Sequence, residues 1–528
     1  MTTADRARRG AAWTEEREAT EERPSDEGRR GPQAPLGGTA ERARLAQVER
    51  EILARRPEHA IDPTLDRIRA LVTLLGDPQQ AYPVIHVTGT NGKTSTARMI
   101  ESLLRARGLR TGLFTSPHLS SVRERIRIDG EPVSAASFIA AYDEIKPYLD
   151  LVDAQQPAQL SFFEVFTGMA FAMFADAPVD VAIIEVGMGG TWDNTNVADG
   201  AVAVVTPISL DHTRWLGETI EEIASEKAGI IKPGAIAVLA QQPPAAAEVL
   251  LRRVGEVGAT VAREGIEFGV IDREQAVGGQ QVSVRGLLSD YPDLFLPLFG
   301  AHQAGNLACA IAAVEAFARG DAVGAPLAED AELNGHEPEV GELAPRAATL
   351  TQPGALDIDL VRDAVAGMSS PGRLEIVRRS PLVIVDAAHN PAGMAATVAT
   401  LDESFDFTSL IAVVAIAADK DVPAVLDQLE PVASMLVATT NSSGRAMAAA
   451  ELAELAESVF GPDRVRVADR LDDAIELGVA LADEADAEGD RATAGMGGAA
   501  LLITGSVITA GEARLLLGGS APGAGGAG

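Results

Sequence analysis

The sequence predicts an α/β fold in two domains: an N-terminal domain on a parallel, doubly wound sheet with a phosphate loop, and a smaller C-terminal Rossmann-like α/β domain. Three observations predict it. The β-branched apolar run Val84-Ile85-His86-Val87 ends in Gly89-Thr90-Asn91-Gly92-Lys93-Thr94 and then opens a helical pattern. Strand, polar loop and helix alternate from there through Val205, the sign of parallel strands joined by crossover helices. A second α/β pattern begins at Leu382, with strand-like runs at Leu382–Val385, Leu410–Ile416, Met435–Thr439 and Leu501–Thr504.

Bulk properties narrow the function. The 528 residues are 46% hydrophobic and 23% charged, as in a globular protein with room for two or three domains. The net charge of −32 argues against nucleic-acid binding, and the single cysteine, Cys309, excludes an internal disulfide framework and a cysteine-based zinc site. The first forty or so residues are charged throughout and unlike a signal peptide. The most apolar stretch, Gly168–Val186, is broken by Asp176, Pro178 and Asp180, so no membrane span is expected. A cytoplasmic protein is expected.

Taken in order, residues 1–40 read as a disordered tail, 41–367 as the first domain, 368–518 as the second and 519–528 as a flexible end, with an acidic insertion at about 320–353. Helices are expected from about Ala40 to Arg55 and from Ile61 to Leu75. The phosphate loop has only two residues between its glycines, unlike the common P-loop. Its strand–loop–helix setting still suits a phosphate: inward-turned N–H groups, a helix N-terminus, the Lys93 charge and a Thr or Ser hydroxyl for Mg²⁺. The helix after it runs to Gly108. Arg110–Phe114 is a second strand leading to Thr115-Ser116-Pro117-His118-Leu119, and Ser161-Phe162-Phe163-Glu164 opens a helix through Met173. Val181–Val186 is a third strand that carries Glu185 just before Gly187-Met188-Gly189-Gly190, and Ala201–Val205 leads to Leu210-Asp211-His212.

The next helix has capping-box spacing at Thr219 and Glu222, with Gly229 as its stop. Lys227 shares the apolar stripe of Ile220, Ile223 and Ala224, which costs desolvation unless something compensates. Snorkelling is one reading; a lysine of lowered pKa that captures CO₂ as a carbamate is the other. Glu185 is open to two readings as well, a turn cap or a Mg²⁺ ligand. In Asp386-Ala387-Ala388-His389-Asn390-Pro391, Asp386 or Asn390 can cap a helix, or the motif can form a second wall of a nucleotide site. Arg373 can neutralise a phosphate or sit on the surface.

Together these motifs resemble the folylpolyglutamate synthase/dihydrofolate synthase family within the Mur ligase superfamily. The resemblance runs in order from about Ile61 to Leu517 through the segments above, and adds Asp193-Asn194-Thr195-Asn196, Glu226-Lys227-Ala228-Gly229-Ile230, His302-Gln303-Ala304-Gly305-Asn306, Pro371-Gly372-Arg373-Leu374-Glu375 and Thr504-Gly505-Ser506. It implies a Mur-ligase-like fold whose N-terminal domain is the ATPase, and an ATP-dependent ligase in which a carboxylate is phosphorylated and the amine of L-glutamate attacks the acyl phosphate. The acceptors implied are dihydropteroate and reduced folates, the cofactors ATP and two Mg²⁺, and the enzyme a monomer.

Matched by motif, Gly89, Thr90, Asn91, Gly92, Lys93 and Thr94 would hold the triphosphate, with Asn306, Arg373 and Asp386 as further nucleotide contacts and His389 beside them. Thr94, Ser116, Glu185 and His212 would surround magnesium, and Lys227 matches the lysine that the family carbamylates for a second ion. Lys93, Lys227 and His389 are the expected catalytic residues. Leu65, Asp66, Arg67, Ser161, Phe162, Phe163, Glu164, Trp192, Asp193 and Asn194 match pterin-substrate contacts. Thr94, where many folate members have glycine, and Trp192, where leucine is usual, depart from the family pattern. The alternative enzyme is a cell-wall Mur ligase acting on a UDP-linked acceptor, although the stretch before Thr88 offers only about forty ordered residues for a UDP-binding domain. A degenerate nucleotide-binding regulator is the non-enzymatic alternative, which the intact Lys93, Glu185, His212 and Lys227 oppose.

Overall fold

The computed structural model of the protein describes residues 38–57, 62–321, 354–488 and 498–518. The expected N-terminal tail, acidic insertion and C-terminal end fall largely outside these residues, as does Ile61. The helix expected from Ile61 begins at Asp66 and ends at Leu74; residues 62–64 before it are not helical, and the Thr64 N–H turns back to the Asp62 carbonyl at 2.8 Å.

The first sheet consists of β1 (Val84–Thr88), β2 (Thr111–Phe114), β3 (Ile126–Ile128), β4 (Glu131–Pro132), β5 (Val181–Glu185), β6 (Gly200–Val205), β7 (Ile236–Leu239) and β8 (Thr260–Arg263). Its order is β4-β3-β2-β5-β1-β6-β7-β8, parallel except for β3 and β4 at one edge. The apolar runs of β1 and β5 are buried along their whole length because helices cover both faces. On one face the helices Lys93–Ala106 and Ala301–Asp321 pack on β1, β5 and β6 around Ile85, Val87, Ile100, Ile183 and Leu307. On the other, Phe162–Asp176 and Ala135–Gln155 pack around Phe114, Phe138, Phe166 and Ile184. Strand β5 lies on one side of β1 and β6 on the other, so the chain crosses the end of β1 between them. Such a switch point opens a crevice at the carboxyl ends of parallel strands.

An antiparallel sheet of β9 (Gly269–Ala276), β10 (Gly279–Arg285) and β11 (Asp290–Leu296) closes over the helix Ala301–Asp321. The second domain carries β12 (Glu375–Arg379), β13 (Leu382–Val385), β14 (Leu410–Val414), β15 (Met435–Ala438), β16 (Val465–Val467) and β17 (Ala500–Thr504) in the order β12-β13-β17-β14-β15-β16. All pair in parallel except β12, and a separate apolar core lies on each face. The four expected strands of this domain are β13, β14, β15 and β17. Their carboxyl ends lead to His389, Lys420, Asn441 and Ser506. No helix among the described residues is long and apolar enough to cross a membrane.

Candidate active site

Gly89 and Gly92 shape the phosphate loop for steric reasons. Gly92 has φ +86°, and a Cβ there would lie 2.4 Å from Asn306 Oδ1; one on Gly89 would lie 1.9 Å from Thr206 Oγ1. The helix after the loop starts its bonding with Thr96 N–H to the Gly92 carbonyl at 2.9 Å, which leaves the N–H groups of its first turn without helical partners. The N–H groups of Thr90 and Asn91 do not turn toward a ligand. Both donate to the Pro207 carbonyl, at 3.0 and 3.3 Å, and the Thr90 hydroxyl donates to Ser209 O at 3.0 Å. These two residues tie the loop to the segment after β6, and the Gly92–Ser95 turn lines the neighbouring cavity.

Two lysines meet at the loop. Lys93 Nζ donates to the Gly89 and Thr90 carbonyls at 3.2 and 3.1 Å, and Lys227 Nζ to the same Gly89 carbonyl at 2.8 Å. Burial, then the neighbouring Lys93 charge, pushes Lys227 down to about 7, and burial lowers Lys93 as well. Lys227 is therefore buried rather than snorkelling, on the helix Ile220–Ala228 with the expected Thr219–Glu222 capping box. Gly229 ends this helix, but in a right-handed conformation. A side chain there would strike Thr191, with Oγ1 2.3 Å from the added Cβ. Gly190 has a matching role, because its Cβ would lie 2.6 Å from the Glu226 carbonyl. The two glycines let the Gly187–Thr191 loop and the Lys227 helix touch.

Glu185, at the end of β5, is fully buried and does not cap the turn that follows it. Its oxygens accept from Thr94 Oγ1 at 2.8 Å and from Ser116 N–H at 3.2 Å, and burial raises its pKa. Thr94, Ser116 and Glu185 are thus one cluster. His212, with φ +52°, lines the same cavity, and burial pushes its pKa down to about 3. Asp211 beside it is held well below the usual carboxylate range: burial opposes its charge, but the His389 hydrogen bond and the nearby cations outweigh that.

From the second domain, Arg373, Asp386 and His389 line the cavity of about 850 Å³ that contains the phosphate loop and Asn306. Asp386 accepts from Leu374 N–H at 3.0 Å, Ala388 N–H at 2.8 Å and Thr397 Oγ1 at 2.9 Å, so its carboxylate also braces its own loop. Asn390, not Asp386, caps the helix Pro391–Ser404. His389 Nδ1 lies 2.9 Å from the Ala387 carbonyl and so carries a proton, with Nε2 3.5 Å from Asp211 Oδ2.

A second cavity, of about 250 Å³, is walled by Arg67, Ser161, Phe163, Trp192, Asp193 and Asn194 on one side and by Lys420, Asn441, Ser443, Arg445 and Ser506 on the other. Four expected substrate residues do not line it. Leu65 packs on the core, and Phe162 lies in the core under the Arg125 guanidinium, 4.8 Å from it. Asp66 is exposed in the first turn of its helix. Glu164 is fully buried, bonded to Arg67 Nε at 3.0 Å and to Ser161 N–H at 2.7 Å in a capping box. It holds Arg67, which burial opposes but the Glu164 and Asp62 carboxylates keep firmly charged. Sequence reasoning missed Arg56, Asp62, Lys420, Asn441, Ser443 and Arg445, which line this cavity from loops without a motif. The two cavities share walls at Ser116, His212 and His389.

Comparison with known proteins agrees with this architecture. Residues 149–314 match the Mur ligase middle domain and residues 372–488 the Mur ligase glutamate ligase domain. A dihydrofolate synthase/folylpolyglutamate synthase of Mycobacterium tuberculosis is 48% identical over 90% of this chain and 94% of its own length. A folylpolyglutamate synthase of Lacticaseibacillus casei is 35% identical over 69% of this chain and 78% of its own. The M. tuberculosis folylpolyglutamate synthase complexed with ADP superposes with a TM-score of 0.81 at 47% identity, covering 91% of this chain and all of that one. The chain is therefore a member of the dihydrofolate synthase/folylpolyglutamate synthase family of Mur ligases, which are ATP-dependent ligases.

Proposed function

We propose that this ligase joins L-glutamate to dihydropteroate and to the γ-carboxyl of reduced folates, through an acyl phosphate made from ATP. The observation that carries this reading is the meeting of the two cavities at Ser116, His212 and His389. An acceptor whose ring lies against Phe163 and Trp192 can present its carboxylate at that junction to a phosphate held by the Gly92–Ser95 turn. Lys93, Arg373 and the helix N-terminus spread positive charge over the transferring phosphoryl group, which needs positioning and neutralisation more than covalent help. The carboxylate oxygen attacks the γ-phosphorus as ADP leaves. The glutamate amine then attacks the acyl carbon and releases phosphate. The second domain covers the junction and keeps water from the acyl phosphate.

Magnesium fits the residues present. Among the described residues no three His, Cys, Asp or Glu side chains converge as metal ligands, so a divalent site has to draw on other oxygens. Thr94 supplies a hydroxyl beside Glu185, whose buried charge needs a cation; Ser116 meets the same carboxylate through its backbone N–H, with His212 alongside. The ion supplies charge neutralisation for the phosphates. Lys227, at about 7, is in part the free amine near neutral pH, the form that adds CO₂. The nitrogen of the free amine would bond to the carbon of CO₂ and lose one proton, so that a neutral amine would become a carbamate whose anionic oxygens could hold a second ion. We read the enzyme as a monomer of the cytoplasm.

Product analysis tests the proposal: the protein with ATP, Mg²⁺ and L-glutamate, offered dihydropteroate, a reduced folate or a UDP-muramoyl acceptor separately. A glutamyl adduct on both of the first two is expected. Addition to the folate alone would remove the synthase half, and addition only to the UDP-linked acceptor would overturn the reading.

A further inference from the structure

We propose that Asp211 is a positioning residue that clasps the two domains in the arrangement in which ligation occurs. The inference rests on the ligase reading above, and its closing test includes a readout that does not depend on turnover.

Asp211 follows β6 in the first domain and is almost fully buried. Apart from the adjoining His212, its side-chain partners all come from the second domain. Lys420 Nζ donates to Oδ1 at 2.5 Å, Asn390 Nδ2 donates to Oδ2 at 3.1 Å, and His389 Nε2 lies 3.5 Å from Oδ2. Asn390 extends the clasp to the phosphate loop. Its Nδ2 also donates to Asn91 Oδ1 at 3.0 Å, while its Oδ1 accepts from Asn91 Nδ2 at 3.2 Å and from Gly393 N–H at 2.8 Å. Two donors and two acceptor sites of one amide are all used, which leaves little freedom to shift the domains without losing bonds. The Lys420 and Asp211 side chains are 7% and 6% exposed, so the pair is desolvated where they meet and solvated wherever the domains part.

Each domain has its own sheet and apolar cores, and of the clasp residues Asn390 also caps the helix Pro391–Ser404 within its own domain. What they fix is relative placement. His389 reaches the junction of the two cavities from the second domain and Ser116 and His212 reach it from the first, while Glu185 and the phosphate loop line the larger cavity beside it. Asn91 belongs to both the loop and the clasp, so the loop that holds the triphosphate is one face of the contact that brings in the glutamate ligase domain. A residue of this kind acts on every step that needs both domains, nucleotide binding at Arg373 and Asp386 included.

The test uses the full chain carrying Asp211→Asn, Lys420→Met or both. Spin labels on cysteines introduced at exposed Glu248 and Glu457, one per domain, report the interdomain distance with AMPPCP and Mg²⁺ bound. Each single variant is expected to broaden or lengthen that distance and to lower kcat by about tenfold or more. The double variant should be no worse than the single ones, because the same contact is already lost. An unchanged distance distribution with kcat within about twofold would overturn the proposal, as would a lower Tm with normal turnover, the mark of a merely structural pair. Should Asp211→Asn fail to fold, Lys420→Met breaks the same pair from the other side. If the parent protein ligates nothing, the distance measurement still decides the clasp.

Discussion

Asn91 and Asn390, 299 positions apart, exchange two side-chain amide hydrogen bonds of 3.2 and 3.0 Å. The first lies in the phosphate loop and the second caps a helix of the other domain, so the two walls of the cavity around that loop register on one another. Arg373 and Asp386 enter the same cavity from beyond that contact.

Arg373→Ala should therefore weaken nucleotide use without unfolding the protein. A charge-assisted contact of about 1.5–3 kcal/mol corresponds to a rise in the KM for ATP of about 10- to 100-fold. Steady-state kinetics with thermal unfolding on the same preparations checks it: a Tm loss of many degrees with little change in KM would assign the residue a structural role.

Gly190→Ala should abolish turnover while leaving the ATP cavity formed. The added methyl meets the backbone carbonyls of Glu226 and Lys227, at 2.6 and 2.9 Å, and backbone has no rotamer into which to retreat. The helix that carries Lys227 must move away from the Gly89 carbonyl. Retained nucleotide binding by calorimetry, with kcat down at least about a hundredfold, is expected.

Lys227→Ala should also lose turnover and keep nucleotide binding, with partial rescue by short-chain carboxylates that replace the carbamate oxygens. Full activity in this variant would remove the carbamate. Stability gives a second readout in the metal-free protein held without CO₂. A lysine at about 7, below its ordinary 10.5, binds fewer protons folded than unfolded between those values. Stability then rises with pH across that window, by at most about 1.4 kcal/mol per pH unit from this group. Lys227→Met should flatten the rise in urea unfolding followed from pH 7 to 9, although the lowered Lys93 leaves part of it.

Glu164→Ala should destabilise the first domain by about 3–5 kcal/mol, because it strips a buried arginine of its innermost partner and a helix of its capping box. Glu164→Gln should cost less, since the amide oxygen can still accept from Arg67 or Ser161. Equal losses in urea unfolding would contradict the pairing.

Sequence legibility followed distance along the chain. β1, β5, β13 and β17 are apolar runs buried on both faces, and such runs announce themselves. The antiparallel β9–β11 escaped notice because Asp272, Glu274 and Gln275 face solvent on a sheet covered on one side only. Gly92, Glu185 and Lys227 were readable from local context: a loop opening a helix, a carboxylate ending an apolar strand, a lysine on an apolar stripe. Glu164 was misread because its partner Arg67 lies 97 positions away. Nothing near Asp211 announces Lys420, 209 positions on. Contacts made by the folded chain between unlike segments leave no periodicity to read.

The most direct test of the account follows oxygen rather than residues. Dihydropteroate labelled with oxygen-18 in its carboxylate is incubated with the protein, ATP, Mg²⁺ and L-glutamate, and the phosphate released is analysed by mass spectrometry. An acyl phosphate passes one labelled oxygen from the carboxylate to each phosphate formed, in step with dihydrofolate. Unlabelled phosphate would mean that ATP is hydrolysed by water, and no dihydrofolate would mean that this acceptor is not a substrate; either result contradicts the account.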